Sequence, residues 1–127
     1  MIAVDTNVLA RAILDDDPRQ SANARQAIEH ARNILVPITV FLELAWVLKS
    51  VGWTRNQVHQ ALSTLAMQPT VQLDRAAEAL AALDDYKAGP ADFADYLNLH
   101  QAKALGARKL LTLDRKLAKA PGVERLA

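Results

Sequence analysis

Five acidic residues stand at positions from which a folded chain commonly presents polar groups: Asp5, Glu43, Asp92, Asp95 and Asp114. Asp5 and Asp114 each directly follow a short apolar run, and Glu43 is the only charged residue between positions 39 and 48. Asp92 and Asp95 have the i, i+3 spacing that places two side chains on one side of a helical turn. Each acid alone has an ordinary structural explanation, as a helix cap or as half of an ion pair.

Glu43 is the hardest of these acids to explain structurally. Its neighbours predict a helix that is apolar nearly all round, so we expect Glu43 to be largely buried. An isolated carboxylate is costly to remove from water unless a cation or hydrogen-bond donors compensate it. The group that compensates Glu43 is either an arginine such as Arg11 or a metal ion shared with other carboxylates.

The elements that would position these acids follow from the pattern of apolar runs. Short runs that alternate with helical stretches are typical of βα units around a largely parallel sheet, which predicts an α/β fold. We expect strands at 2–4, 34–36, 71–73, 109–113 and, more weakly, 123–126. Helix starts are predicted at Asp17-Pro18, at Thr54 with Gln57, at Asp74 and at Asp92, and a short helix at 115–119. The acidic run 15–17 is predicted to be an exposed turn before Pro18.

A parallel sheet would bring the acids to one rim, because ligands of open α/β sheets bind beyond the carboxyl ends of the strands. Three or four carboxylates within a few ångströms cannot all ionise near neutral pH without raised pKa values or a divalent cation. Oxygen ligands without cysteine or histidine favour Mg²⁺ or Mn²⁺ over zinc. The sequence therefore predicts a carboxylate site for one of these two ions.

Length and composition limit the number of domains, the chemistry and the localisation that are open to this chain. The chain has 127 residues, which predicts a single domain over 1–127, and its net charge of +1 gives no basis for inferring a strongly basic or acidic partner. The lack of cysteine excludes disulfides, thiolate metal sites and a cysteine nucleophile. The amino end does not have the pattern of a signal peptide, and no apolar stretch is long enough to span a membrane, so we expect a cytoplasmic protein.

Four segments, taken in order, resemble the PIN-domain ribonucleases, and in particular the VapC-like toxins of prokaryotic type II toxin-antitoxin pairs. They are residues 2–9 (IAVDTNVL), Leu42-Glu43 in the helix after Pro37, residues 92–95 (DFAD) and residues 111–114 (LTLD). The resemblance covers the whole chain. It implies a three-layer α/β/α sandwich with a central, mainly parallel sheet, and an endoribonuclease that depends on Mg²⁺ or Mn²⁺. It also implies a cognate antitoxin and a homodimer.

The same resemblance assigns roles to individual residues. Asp5, Glu43 and Asp95 match the family's acidic core, Asp114 matches its more variable fourth acid, and Asp92 is either a further metal ligand or only a helix cap. Polar residues beside these acids would orient the carboxylates: Thr6 and Asn7 after the first strand, and Thr112 before Asp114.

RNA would also require positive charge, and residues 103–125 carry seven basic side chains against two acids. Arg115 and Lys116 are the predicted phosphate contacts within this segment. Phe41, Trp46 and Trp53 are predicted to pack in the core or in a subunit interface rather than on substrate.

Two other functions stay open at the level of sequence. A phosphatase of the haloacid-dehalogenase type also uses an Asp after the first strand, but its pattern requires another Asp two residues later, where this chain has Asn7. A non-catalytic module would keep the acids only for folding or partner binding. The expected burial of Glu43 is an argument against that module.

Overall fold

Short strands alternate with helices throughout residues 1–126, the part of the chain that a computed structural model describes. Met1–Arg75 form one compact unit, and the chain from Ala76 onward forms a second. The elements of the first unit are β1 (Ile2–Ala3), α1 (Thr6–Leu14), α2 (Pro18–His30), β2 (Ile34–Val36), α3 (Ile38–Ser50), α4 (Arg55–Ala66) and β3 (Val71–Leu73). Those of the second are α5 (Ala76–Ala88), α6 (Phe93–Ala104), β4 (Leu110–Thr112), a 3₁₀ turn (Leu117–Lys119) and β5 (Val123–Arg125).

The first unit is built on a three-stranded parallel sheet with the strand order β1-β2-β3. In the central strand, Ile34 pairs with Ile2 on one side and with Val71 on the other. Ile34 and Val36 are almost fully buried, as expected for a strand whose two faces are covered by helices. Because all three strands are parallel, their carboxyl ends meet at one edge of the sheet.

Helix α3 supplies much of the apolar core of this unit. Phe41, Leu44 and Leu48 are completely buried, and they recur at the helical spacing that forms one continuous face. The following helix, α4, begins with the predicted capping box, in which Thr54 and Gln57 each accept from the other's backbone N–H, at 3.2 and 2.8 Å.

The connection between α1 and α2 confirms the predicted exposed turn. Asp17 caps α2 by accepting from the backbone N–H of Gln20 at 3.1 Å. Asp16 accepts from the Arg11 guanidinium at 2.8 Å, and this hydrogen bond lowers the pKa of Asp16 below its ordinary value. Asp15 lies 3.6 Å from Arg25. The acidic run is therefore accounted for by local contacts.

The second unit combines the helical pair α5 and α6 with a two-stranded parallel ladder, β4 with β5. Tyr86 and Phe93 pack edge to face with ring centroids 6.0 Å apart. The Tyr96 hydroxyl accepts from the backbone N–H of Ala91 at 3.2 Å, which anchors the start of α6. His100 Nε2 lies 2.6 Å from Asp85 Oδ2 and links α6 to α5.

The predicted α/β class is confirmed, and every strand pair is parallel. All five predicted strands are present with bounds that differ by at most one residue at either end. The predicted helix at 115–119 is wrong in extent, since only Leu117–Lys119 form a 3₁₀ turn. Over residues 1–126, no helix is both long enough and apolar enough to span a membrane.

Candidate functional site

Thr6 connects two of the predicted acids in the first unit. Asp5 directly follows the buried Val4 at the end of β1 and caps α1, because its Oδ1 accepts from the backbone N–H of Thr6 at 2.7 Å. The Thr6 hydroxyl donates to Oε2 of Glu43 at 2.8 Å, across 37 positions of sequence. Thr6 is only 5% exposed, so water competes little for this hydrogen bond. Thr6 was predicted to orient the carboxylate of Asp5, but its hydroxyl holds that of Glu43.

The expected burial of Glu43 is wrong. Glu43 is exposed, and it belongs to an exposed stripe of α3 opposite the apolar face. The stripe comprises Thr39, Glu43, Trp46 and Ser50, which recur at helical spacing. Arg11 is not the partner of Glu43, since its guanidinium contacts Asp16. The objection to a non-catalytic module that rested on a buried charge therefore no longer applies.

Asp5 and Glu43 are suited to bind a hard cation through oxygen. Within residues 1–126 neither carboxylate forms an ion pair with a basic side chain. Each has one oxygen held by Thr6, and its second oxygen accepts no hydrogen bond from the described residues. Two exposed carboxylates with one oxygen fixed and one available are the donor type that Mg²⁺ and Mn²⁺ prefer.

Asp74 is a further acid at the same edge of this sheet, and the sequence prediction treated it only as the start of α5. It directly follows β3, and its backbone N–H donates to the carbonyl of Val36 at 3.0 Å. Its Oδ2 accepts from the N–H of Ile38 at 3.4 Å, at the start of α3. Asp74 directly follows a predicted strand, as Asp5 and Asp114 do. This position was the sequence signal that could have identified Asp74.

In the second unit, Asp92 and Asp95 lie together at the amino end of α6. The two form a reciprocal capping box, in which Oδ2 of Asp95 accepts from the backbone N–H of Asp92 at 3.2 Å. The cap that was predicted as one role of Asp92 is therefore present. A metal-binding role for either residue stays a prediction.

Asp114 follows β4, as predicted, and caps the 3₁₀ turn. Its Oδ1 accepts from the N–H of Lys116 and its Oδ2 from that of Leu117, each at 3.2 Å. Thr112 supports this loop, because its hydroxyl accepts from the backbone N–H of Asp114 at 3.0 Å. Both carboxylate oxygens of Asp114 thus accept hydrogen bonds from backbone N–H groups of this turn.

The structure groups the predicted acids by unit: Asp5 and Glu43 in the first, and Asp92, Asp95 and Asp114 in the second. No group of three or more acidic or histidine side chains within residues 1–126 is arranged to hold a metal ion. A metal site formed by all of these acids stays a prediction.

The remaining predicted contacts lie on the surface. Asn7, Arg115 and Lys116 are all exposed. Lys109, in the same basic segment, forms an ion pair with Glu124 across the β4–β5 ladder. Arg115 and Lys116 thus stand in positions where a polyanion could reach them.

An apolar cleft in the first unit is lined by residues other than these acids. It is an open cleft of about 520 Å³ between α1, α4, β2 and β3, and its walls are mainly apolar with a rim of glutamine and threonine. None of the predicted site residues lines it. Hydrolytic chemistry is therefore not assigned to this cleft.

Comparisons with known proteins place the chain in a family. The PIN domain model matches residues 2–123, which include most of both units. Among solved structures, the chain is similar to the crystal structure of Mycobacterium tuberculosis VapC20, described as a sarcin–ricin loop cleaving toxin. That match has 18% sequence identity and a TM-score of 0.49, and it covers 97% of each chain. No curated protein matches the sequence. The family resemblance drawn from the four segments is thus confirmed by the family model, and the chain belongs to the PIN domain family.

Proposed function

We propose that this protein is a metal-dependent endoribonuclease, the toxin of a type II toxin-antitoxin pair. The observation that carries the proposal is the Asp5–Thr6–Glu43 arrangement in a chain that the PIN domain model matches almost throughout. The toxin assignment, the antitoxin and the homodimer rest on the resemblance of the four sequence segments to VapC-like toxins. Because one family model covers most of both units, we also propose that 1–127 is one functional domain.

Asp5 and Glu43 would hold Mg²⁺ or Mn²⁺ through their available oxygens. When bound, such an ion activates water near neutral pH and stabilises the charge of the departing oxygen in phosphodiester hydrolysis. Asp92, Asp95 and Asp114 are the proposed further acids of the site. The backbone and hydroxyl of Thr6 hold the two carboxylates in place, so their arrangement does not have to form when substrate arrives.

The proton of the attacking water needs an acceptor, and a carboxylate of the site can supply it. The RNA backbone must meanwhile be held against a negatively charged site. Arg115 and Lys116 are exposed and could pair with phosphates, which would make RNA binding weaken as salt increases.

The direct test is incubation of the purified protein with mixed RNA in Mg²⁺ or Mn²⁺, beside a lane with EDTA. We expect discrete cleavage products with either ion and none with EDTA, as measured by denaturing gel electrophoresis. Equal degradation in all lanes would indicate a contaminating nuclease, and no cleavage in any lane would contradict the proposal.

Thr6 provides a second test, because its hydroxyl acts on the reaction only through Glu43. Thr6→Val keeps the shape of the side chain but removes the donor, and we expect cleavage to fall about 10-fold to 100-fold. Thr6→Ser keeps the donor and should retain most of the activity. The affinity for Mn²⁺, measured by calorimetry, should weaken in the valine variant only. If valine and serine behave alike, the hydrogen bond to Glu43 has no role in the reaction.

A further inference from the structure

The exposed stripe of α3 presents a single large apolar side chain beside a predicted site residue. Trp46 is 70% exposed, although it was predicted to pack in the core or in a subunit interface. It follows Glu43 by three positions, so the indole and the carboxylate lie on the same face of the helix, one turn apart. Within residues 1–126, Trp46 makes no hydrogen bond and no contact with another aromatic ring.

The surroundings of Trp46 favour a polar ligand with a flat apolar face. The other exposed residues of α3 are all polar or charged, namely Thr39, Glu43, Lys49 and Ser50, and the exposed Val51 directly follows the helix. A stable interface between two protein copies needs about 800 Å² from each partner, with an apolar centre. One indole within a polar stripe does not supply such a centre. A nucleobase does fit, since it combines an aromatic face with polar edges, and each stacked base contributes about 1–3 kcal/mol to binding.

We propose that Trp46 is a substrate-binding residue that stacks on an unpaired base of the RNA next to the bond that is cleaved. This inference rests on the proposed function, and it adds that the substrate is single-stranded at that point. A base in a duplex is already stacked on both faces, so it cannot present one to the indole without being extruded. Trp46 would therefore contribute to the choice of cleavage position, whereas the carboxylates would hold the ion.

The chain contains one other tryptophan, Trp53, which is half-buried and provides a matched control. In EDTA, where cleavage is prevented, a mixed-sequence RNA of eight nucleotides should quench the tryptophan fluorescence of the wild type and of Trp53→Phe. In Trp46→Phe the quenching should be lost, while the remaining ring keeps the affinity near that of the wild type. In Trp46→Ala the affinity should fall about 5-fold to 150-fold, the range that corresponds to loss of one stacked base.

Two further measurements separate stacking from other roles of Trp46. An abasic oligomer of the same length should bind the wild type and Trp46→Ala equally, because it offers phosphates without bases. With Mn²⁺ present, Trp46→Ala should raise KM more than it lowers kcat, and it should spread the cleavage over more positions.

The inference is overturned if Trp46→Ala binds the eight-nucleotide RNA with the affinity of the wild type. It is also overturned if sedimentation shows that this variant dissociates a dimer while RNA affinity is retained, since the indole would then contact a second copy. In both cases a wild type that still cleaves RNA leaves the proposed function intact. A wild type that neither binds nor cleaves RNA contradicts both proposals.

Discussion

Asp5→Asn is expected to lower RNA cleavage by about 100-fold or more while leaving the fold nearly unchanged. Asparagine removes the charge that would hold the cation, but it keeps an oxygen that can accept from the N–H of Thr6. Since Asn and Asp cap helices about equally well, the free energy of unfolding should change by no more than about 1 kcal/mol. Cleavage rates with Mn²⁺ and urea denaturation of the metal-free protein measure the two effects.

Asp17→Asn is the matched control for this variant, because Asp17 caps α2 in the same unit and has no predicted chemical role. We expect it to cleave RNA at the rate of the wild type. If Asp5→Asn also retained full activity, Asp5 would be a helix cap only. A large loss of stability in Asp5→Asn would instead assign the carboxylate a structural role.

Glu43→Gln should likewise reduce cleavage by about 100-fold or more, and here the loss should come with weaker metal binding. Glutamine can still accept from the Thr6 hydroxyl, so only the charge is removed. An ion that binds the native state alone raises its stability in proportion to the logarithm of its concentration. Millimolar Mn²⁺ should therefore raise the Tm of the wild type clearly, and that of Glu43→Gln much less.

Glu29→Gln removes a charge from another exposed helix position of the same unit and serves as the control for Glu43→Gln. Its activity and its thermal response to Mn²⁺ should equal those of the wild type. An equal rise of Tm in all three proteins would show that Mn²⁺ binds elsewhere and would remove Glu43 from the site.

Much of the fold could be predicted because local chemistry determines it. The strand at 34–36 is apolar along its whole length, and the capping box of Thr54 and Gln57 satisfies backbone groups within one turn. Asp5 could be placed at a strand end for the same reason. Asp5 directly follows the predicted strand in sequence, so its place at the strand end does not depend on tertiary packing.

The environment of Glu43 could not be predicted, because the exposed stripe of α3 contains an apolar residue. Trp46 made the helix look apolar nearly all round and so concealed its solvent-facing side. The hydrogen bond from Thr6 joins positions 37 apart, and it depends on how α1 packs on α3. No local pattern encodes that packing. The edge position of Asp74 was missed because a helix cap was a sufficient explanation for it.

The two donors of Thr6 have a consequence for how sequence changes combine in this protein. Its amide holds Asp5 and its hydroxyl holds Glu43, so the backbone and the side chain of one residue join the two acids. Free-energy effects of changes at positions 5, 6 and 43 should therefore not add, whereas changes at distant sites commonly do. Whether a substitution at one of these three positions is tolerated therefore depends on the residues at the other two, so the three positions are energetically coupled.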